Sequence, residues 1–226
     1  MTATVTEHER LWPPGGAPGE ARAMRFRYDP EAAGADLPAV IESLVGAPLT
    51  VLRDVVIGMR GDGTELEAEL GDFWFHTDAT FLPSPPRWMA ILVQEADSGG
   101  ALDLLPAECV DPVPLATPVG YRASGGVLTA PVLEPLPGLT PGRVRYRQDR
   151  MTAAGGPDTT GIGGPDALEE VHDAVLAAAE QATVPAGELR AGDCLLLDNW
   201  TVLHRRGDFT GRRVIRRLWL DPRDGA

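Results

Sequence analysis

The chain has 226 residues, enough for one sizeable hydrophobic core, and 43% hydrophobic with 23% charged residues is the balance of a folded globular protein. A formal charge of −13 opposes non-specific binding to nucleic acid or to anionic membrane surfaces. No lysine occurs, so all 20 basic residues are arginines, a bias of coding composition that carries no functional weight by itself.

Residues 1 to about 22 read as a flexible lead, because Pro13, Pro14, Gly15, Gly16, Pro18 and Gly19 break any periodicity. This lead carries acids early and lacks an apolar signal core, and no later stretch reaches transmembrane length, so the expectation is a cytoplasmic protein. MRFRY at 24–28 alternates as a strand would. ADLPAVIESLVG reads as a helix, with Asp36 as its cap, Pro38 in its first turn and Gly46 at its end. PLTVLRDVVIGM (48–59) is rich in β-branched residues and reads as a strand.

Short β-leaning segments then dominate: 87–96, 101–106, 126–132, 142–149, 194–200 and 212–220. Turn residues separate them, the pattern of a sandwich or jelly roll. One helix interrupts the series at about 166–183, with Leu168, Val171, Val175, Ala178 and Ala182 on one face. The Pro-rich run 111–141, with seven prolines, and the Gly-rich run 152–166, with five glycines, resist assignment and read as loops that select substrate. Cys109 and Cys194 stand far apart without a CxxC partner, so no disulfide framework is expected.

The stretch FWFHTDATF (73–81) places His76 and Asp78 two residues apart. If the run is a strand, both side chains project to one face, with Thr77 opposite. Two imidazoles and one carboxylate on one face suit an iron site with open positions. The chain holds four histidines. His8 falls in the lead and His172 on the late helix beside Glu169, as a surface residue. His204, after the apolar run CLLLDNWTVL, is the candidate for the third leg. Its arginine neighbours Arg205, Arg206 and Arg212 would disfavour protonation and keep the ring in its neutral, ligating form. Arg213 and Arg217 are separated by an even number and share a face on a strand. Their rival role is in ion pairs with the surplus carboxylates. Arg212 and Arg216 face the other way, toward solvent.

HTDATFLPSPP, the paired glycines at 99–100, LLLDNWTVLHRR and GRRVIRR resemble the taurine dioxygenase-like branch of the iron(II)/2-oxoglutarate-dependent oxygenases, from about Phe73 to Leu220. RVRYRQDRM (143–151) resembles a stretch of the clavaminate synthase-like members, many of which act on amino acids. The resemblance implies a mainly β, double-stranded β-helix (jelly roll) with a few flanking helices, built as one oxygenase domain over 1–226. It implies Fe(II), 2-oxoglutarate and O2 as cofactor and cosubstrates, and a small polar molecule of specialised metabolism as substrate. By position, His76, Asp78 and His204 match the iron ligands. Arg213 matches the arginine that pairs with the distal carboxylate of 2-oxoglutarate. Arg217 matches a second arginine, assigned to the cosubstrate or to an anionic group of the substrate. Trp74 and Asn199 are further candidates for substrate contact. The carboxylate at Asp78 favours hydroxylation over halogenation, since related halogenases keep that position small.

Two departures stand out. Where the family commonly has a threonine shortly after the glycines, donating to 2-oxoglutarate, this chain has Leu102 followed by Asp103. The chain is also short for the family on its N-terminal side. Desaturation or ring closure would use the same ligands. A non-catalytic binding relative and a cupin-like metalloenzyme are the alternatives outside this class. The second would leave Arg213 without a role.

Overall fold

The computed structural model describes residues 8–13, 21–30, 36–58, 73–153 and 163–223. In chain order the first elements are β1 (His8–Trp12), β2 (Ala23–Arg27), α1 (Leu37–Val45), β3 (Leu49–Gly58), β4 (Phe73–His76), β5 (Trp88–Gly99) and β6 (Leu102–Pro106). Next come α2 (Pro112–Leu115), β7 (Pro118–Ala123), β8 (Gly126–Pro131), β9 (Leu133–Leu136), β10 (Leu139–Val144) and β11 (Met151–Thr152). The chain then forms α3 (Pro165–Ala182), β12 (Val184–Gly187), β13 (Asp193–Asp198), β14 (Val202–Arg206) and β15 (Phe209–Pro222).

Two sheets carry the architecture: six strands in the order β1-β2-β13-β5-β15-β3, and four in the order β12-β6-β14-β4. Successive strands alternate between them, β4 in the second sheet, β5 in the first, β6 in the second, and again β13, β14 and β15. That alternation is the jelly-roll winding expected from the spacing of the short strands.

The period of two in the sequence decides which side chains fill the space between the sheets. Met89, Ile91 and Val93 of β5 and Leu195 and Leu197 of β13 point inward to meet Leu102 and Leu104 of β6 and Val202 of β14. Trp88, Ala90, Leu92, Cys194 and Leu196 point outward and are covered by Leu37, Val40 and Ile41 of α1. The register pairs Leu195 with Ile91 and Leu197 with Met89. A slip of one residue would exchange the two apolar sets between faces. The outer face of the second sheet, with Phe75, Leu105 and Leu203, is sealed by Val171, Val175 and Ala178 of α3 and by Val119 and Tyr121 of β7. At roughly 1.5–3 kcal/mol for each fully buried aliphatic or aromatic side chain, these three layers dominate the stability.

Helix α1 keeps its expected ends. Asp36 Oδ1 accepts from the Ala39 amide at 3.0 Å, and Gly46, at φ 75°, closes the last turn by donating to the Glu42 carbonyl at 2.9 Å. Several expectations need correction. His8–Trp12, read as part of a flexible lead, is an edge strand paired with β2, so His8 lies opposite Phe26. The Pro-rich run is not a loop: Pro112 and Pro114 sit in α2, Pro118 and Pro131 at strand ends, Pro135 and Pro141 within β9 and β10, and the β7–β8 hairpin and the β9–β10 pair account for most of the run. Of the Gly-rich run, 154–162 lies outside the described residues, as does Met59. Among the described residues, no helix is long and apolar enough to cross a membrane.

Candidate metal centre and anion pocket

The third histidine reaches the first two ligand candidates through a tight crossover. β13 stops at Asp198, whose carboxylate accepts from the Trp200 amide at 3.1 Å, and Thr201 N donates to the Asp198 carbonyl at 3.0 Å. The chain thereby leaves the first sheet and enters the second as β14, so CLLLDNWTVL is two strands and a turn rather than one strand. In β14, His204 is the register partner of His76 on one side and of Leu104 on the other. The two imidazole centroids are 4.1 Å apart.

FWFHTDATF is likewise not one strand. β4 ends at His76, and Asp78 sits in the turn that follows, where Ala79 adopts a left-handed φ of 57°. The Asp78 amide donates to Asn199 Oδ1 at 2.7 Å, and Asn199 Nδ2 donates to the carbonyls of Asp78 at 3.2 Å and Pro86 at 2.9 Å. A turn pinned this way brings Asp78 to the same place that strand alternation would have. His76, Asp78 and His204 each offer one ligand atom, all within 4.8 Å of one another, and all three residues are buried.

The electrostatics prepare these groups as ligands. His76 Nδ1 lies 3.0 Å from the Trp74 carbonyl, which makes it the protonated nitrogen, and His76 Nε2 stands 3.6 Å from Asp78 Oδ1. Burial by itself would raise the Asp78 carboxyl. The Arg217 charge, with smaller contributions from the neighbouring imidazoles, more than offsets it and holds the group well below the ordinary carboxylate range. Burial first, then His76 and the charges of Arg217 and Arg147, hold His204 well below the usual imidazole range, against the pull of Asp78. The neutral form expected of His204 thus owes more to burial than to its sequence neighbours. One Asp78 oxygen, Oδ2, accepts from the Trp219 indole at 2.6 Å and lies 3.4 Å from Arg217 Nη1. The other, Oδ1, is buried without a hydrogen-bond partner among the described residues. Two imidazoles and one anionic, half-satisfied carboxylate form a donor set that fits a divalent cation.

Beside the triad opens a small pocket. His76, His204, Arg206, Arg213 and Arg217 line it together with Phe73, Leu102, Phe209 and isoleucines. Arg213 and Arg217 therefore do share the inner face of β15. Arg213 is 7% exposed, and its Nη1 is buried without a hydrogen-bond partner among the described residues. The paired glycines make room for it: a Cβ on Gly100 would come within 2.8 Å of Arg213 Nη1, and Gly100 already has φ 68°. Leu102, at the wall where a hydroxyl was missing, presents only methyl groups.

The remaining expectations divide. Arg216 pairs through both Nε and Nη2 with Asp54, at 2.9 and 2.6 Å, and Arg212 with Glu95 at 2.9 Å, on the outer face. Asn199, named for substrate contact, is 1% exposed with its amide spent on backbone groups, so it shapes the Asp78 turn instead. Trp74 lines a second opening, with Phe73, Phe75, His76, Gln148 and Asp149. His172 is no free surface residue, since its Nδ1 meets the Tyr146 hydroxyl at 3.0 Å. Within RVRYRQDRM, Arg143 pairs with Glu134 at 2.6 Å, and Arg145 donates to the carbonyls of Thr80 and Pro83 at 3.2 and 2.6 Å, tying down the segment after Asp78. Arg147 reaches the site, its guanidinium 5.2 Å from the Phe73 ring.

Trp219, Arg206 and Arg147 were missed. The first two had a signal: Trp219 follows Arg217 by two and Arg206 follows His204 by two, so each shares the inward face of its strand.

The model of the taurine catabolism dioxygenase TauD, TfdA family matches residues 129–219. A search of curated proteins by sequence finds no match. Among solved structures, an asparagine oxygenase in complex with Fe(II), 2S,3S-3-hydroxyasparagine and succinate superposes with a TM-score of 0.58 at 19% identity, over 82% of this chain and 65% of that one. The non-heme iron oxygenase OrfP in complex with Fe and alpha-ketoglutaric acid gives 0.57 at 16%, over 85% and 66%. PvcB, an Fe, alpha-ketoglutarate dependent oxygenase from an isonitrile synthetic pathway, gives 0.57 at 18%, over 88% and 75%. The chain thus spans just under two thirds of the first two. In the sequence of its C-terminal part and in its jelly-roll fold, the chain is similar to the taurine dioxygenase-like oxygenases.

Proposed function

We propose that the protein is an iron(II)/2-oxoglutarate-dependent oxygenase that hydroxylates an unactivated C–H bond of a small polar substrate, with release of succinate and CO2. The observation that carries this reading is the convergence of His76, Asp78 and His204 within 4.8 Å, with both histidines lining a pocket that also holds Arg213. A binding protein without a metal would have no use for a buried carboxylate oxygen left without a partner beside two imidazoles. A metalloenzyme that uses no 2-oxo acid would have no use for the inward, unmatched guanidinium of Arg213.

In this reading the two imidazoles and Asp78 would hold Fe(II), which supplies the chemistry that couples oxidative decarboxylation of a 2-oxo acid by O2 to C–H oxidation. The chain's own groups do the rest. The Trp74 carbonyl fixes the His76 tautomer. Trp219 and Arg217 orient Asp78 through Oδ2 and keep it ionised. Arg213 pairs with the distal carboxylate of the cosubstrate, and the isoleucines and Phe209 keep water from that ion pair. Asp78 fills the position that halogenation would need, which favours hydroxylation over halogenation, while desaturation or ring closure would use the same ligands.

The substrate belongs on the side of His76 away from Arg213, in the opening lined by Trp74, Gln148 and Asp149. Those amide and carboxylate groups suit an amino acid or a similar small zwitterion, and two of the neighbouring structures hold amino-acid-derived ligands. Arg217 is occupied beside Asp78 and supports the metal site more directly than the substrate. The reading is tested by incubating the Fe(II)-loaded protein with 2-oxoglutarate and O2 and screening amino acids for enhanced succinate release. Succinate formation that depends on Fe(II) and is stimulated by a particular amino acid is expected. No succinate under any condition would contradict it.

A further inference from the structure

Between His76 and Asp78 stands Thr77, 1% exposed, whose hydroxyl takes no part in the ligand set. β4 is an edge strand of the four-stranded sheet, laddered to β14 alone among the described residues. Past its last residue the chain is held instead by the buried segment Val144, Arg145 and Tyr146, which leaves β10. Thr77 N donates to the Tyr146 carbonyl at 2.7 Å. Thr77 Oγ1 accepts from Tyr146 N at 3.1 Å and donates to the Val144 carbonyl at 3.3 Å. A hydroxyl both donates and accepts, so this one side chain stands in for a ladder partner where the strand has already ended. The remaining backbone groups of the segment are fixed elsewhere. Arg145 N donates to the Val132 carbonyl at 2.7 Å, and the Arg145 carbonyl accepts from the Tyr121 hydroxyl at 2.7 Å. Val144 N donates to the Trp200 carbonyl at 2.8 Å, within the crossover that delivers His204 to β14. Val144 thus joins the two ligand-bearing turns, its amide holding the one before His204 and its carbonyl the one that carries Asp78.

We propose that Thr77 is a positioning residue of the metal centre, acting through Val144 and Tyr146 to hold Asp78 at its distance from His204. The hydroxyl matters because it closes the link between the two turns; the γ-methyl only packs. The proposal rests on the metal centre of the oxygenase reading and deepens it, because it assigns the spacing of two ligands to a third element that carries neither of them.

The test is anaerobic equilibrium titration with Fe(II), together with the visible spectrum of the Co(II)-substituted protein, which reports coordination geometry. Thr77→Val keeps the shape, deletes the hydroxyl and leaves the buried Tyr146 amide without its acceptor. Its Kd for Fe(II) is expected to rise roughly tenfold or more, and its Co(II) bands to shift. Thr77→Ser restores the hydroxyl and should return the Kd to within about threefold of the unaltered protein and the bands to their place. Thr183→Val is the control for destabilisation alone, since it deletes a hydroxyl that bonds the Ala179 carbonyl at the end of α3. It should weaken the fold to urea while leaving Fe(II) affinity and the Co(II) spectrum unchanged. An unchanged Kd in Thr77→Val, an equal rise in Thr183→Val, or a tenfold rise in Thr77→Ser would overturn the proposal and leave the oxygenase reading standing. The Thr77→Ser result decides the matter even if Thr77→Val does not fold. Failure of the unaltered protein to bind Fe(II) at all would remove both.

Discussion

The indole N–H of Trp219 donates a 2.6 Å hydrogen bond to Asp78 Oδ2, joining the last strand of the first sheet to the turn that follows β4. The same oxygen faces Arg217 at 3.4 Å. Asp78 therefore turns its other oxygen toward His76, and the direction of the ligand is set by residues that never touch the metal. Trp219→Phe keeps most of the packing and deletes the donor. The expected result is a loss of Fe(II) affinity of roughly ten- to hundredfold, the range found when partners of metal ligands are removed. Equilibrium titration with Fe(II) under anaerobic conditions measures it.

Gly100 offers a test of the anion pocket that leaves every charge in place. Gly100→Ala would put a methyl group 2.8 Å from Arg213 Nη1 at φ 68°. Gly46→Ala carries a similar left-handed strain, φ 75°, with nothing within 4 Å of the new Cβ. Both variants should lose about 1 kcal/mol or more of stability from strain. Only Gly100→Ala should raise the KM for 2-oxoglutarate, by roughly tenfold, the worth of about 1.4 kcal/mol. Fe(II) affinity should be unaffected in both.

The buried histidine gives the metal-free protein a characteristic acid response. His204 is held well below its ordinary 6.5, so below pH 6.5 the unfolded chain binds a proton that the folded chain does not. Stability then falls as the pH drops, by up to about 1.4 kcal/mol per pH unit for this one group. Asp78 acts at lower pH. Its depressed value contributes stability that is complete above 3.8 and is lost as pH falls through the folded value. Urea unfolding of the metal-free protein at pH 7.5 and 5.5 should show the loss, and His204→Asn should flatten it. Equal slopes in the two proteins would contradict the assignment.

The sequence carried the grouping of the candidate site residues better than it carried the backbone. The strand rhythm, the capped α1 and the amphipathic α3 were legible because each depends on local spacing. His76, Asp78 and His204 were legible as a group because the chain holds only four histidines, whereas Arg213 stands among six arginines between 205 and 217 and was singled out by the resemblance. The reason given for pairing His76 with Asp78, strand alternation, was incomplete: Asp78 reaches the site through a turn held by Asn199, a contact 121 residues away in sequence that no local pattern reveals. The same distance effect hid Trp219, whose partner lies 141 residues away. It also mistook Asn199 for a substrate residue, since a buried bracket and an exposed contact look alike in one dimension. The Pro-rich run misled for another reason. Its prolines occupy a short helix, strand ends and the short β9–β10 pair, whose register is irregular around Pro141.

The central claim is that His76, Asp78 and His204 hold one ferrous ion whose open positions accept a 2-oxo acid. Anaerobic addition of 2-oxoglutarate to the Fe(II)-loaded protein, followed by visible absorption spectroscopy, tests it most directly. A weak charge-transfer band that saturates with 2-oxoglutarate, and is lost in His76→Ala and in His204→Ala, is the predicted result. The absence of the band in the unaltered protein, or its persistence without either histidine, would contradict the account.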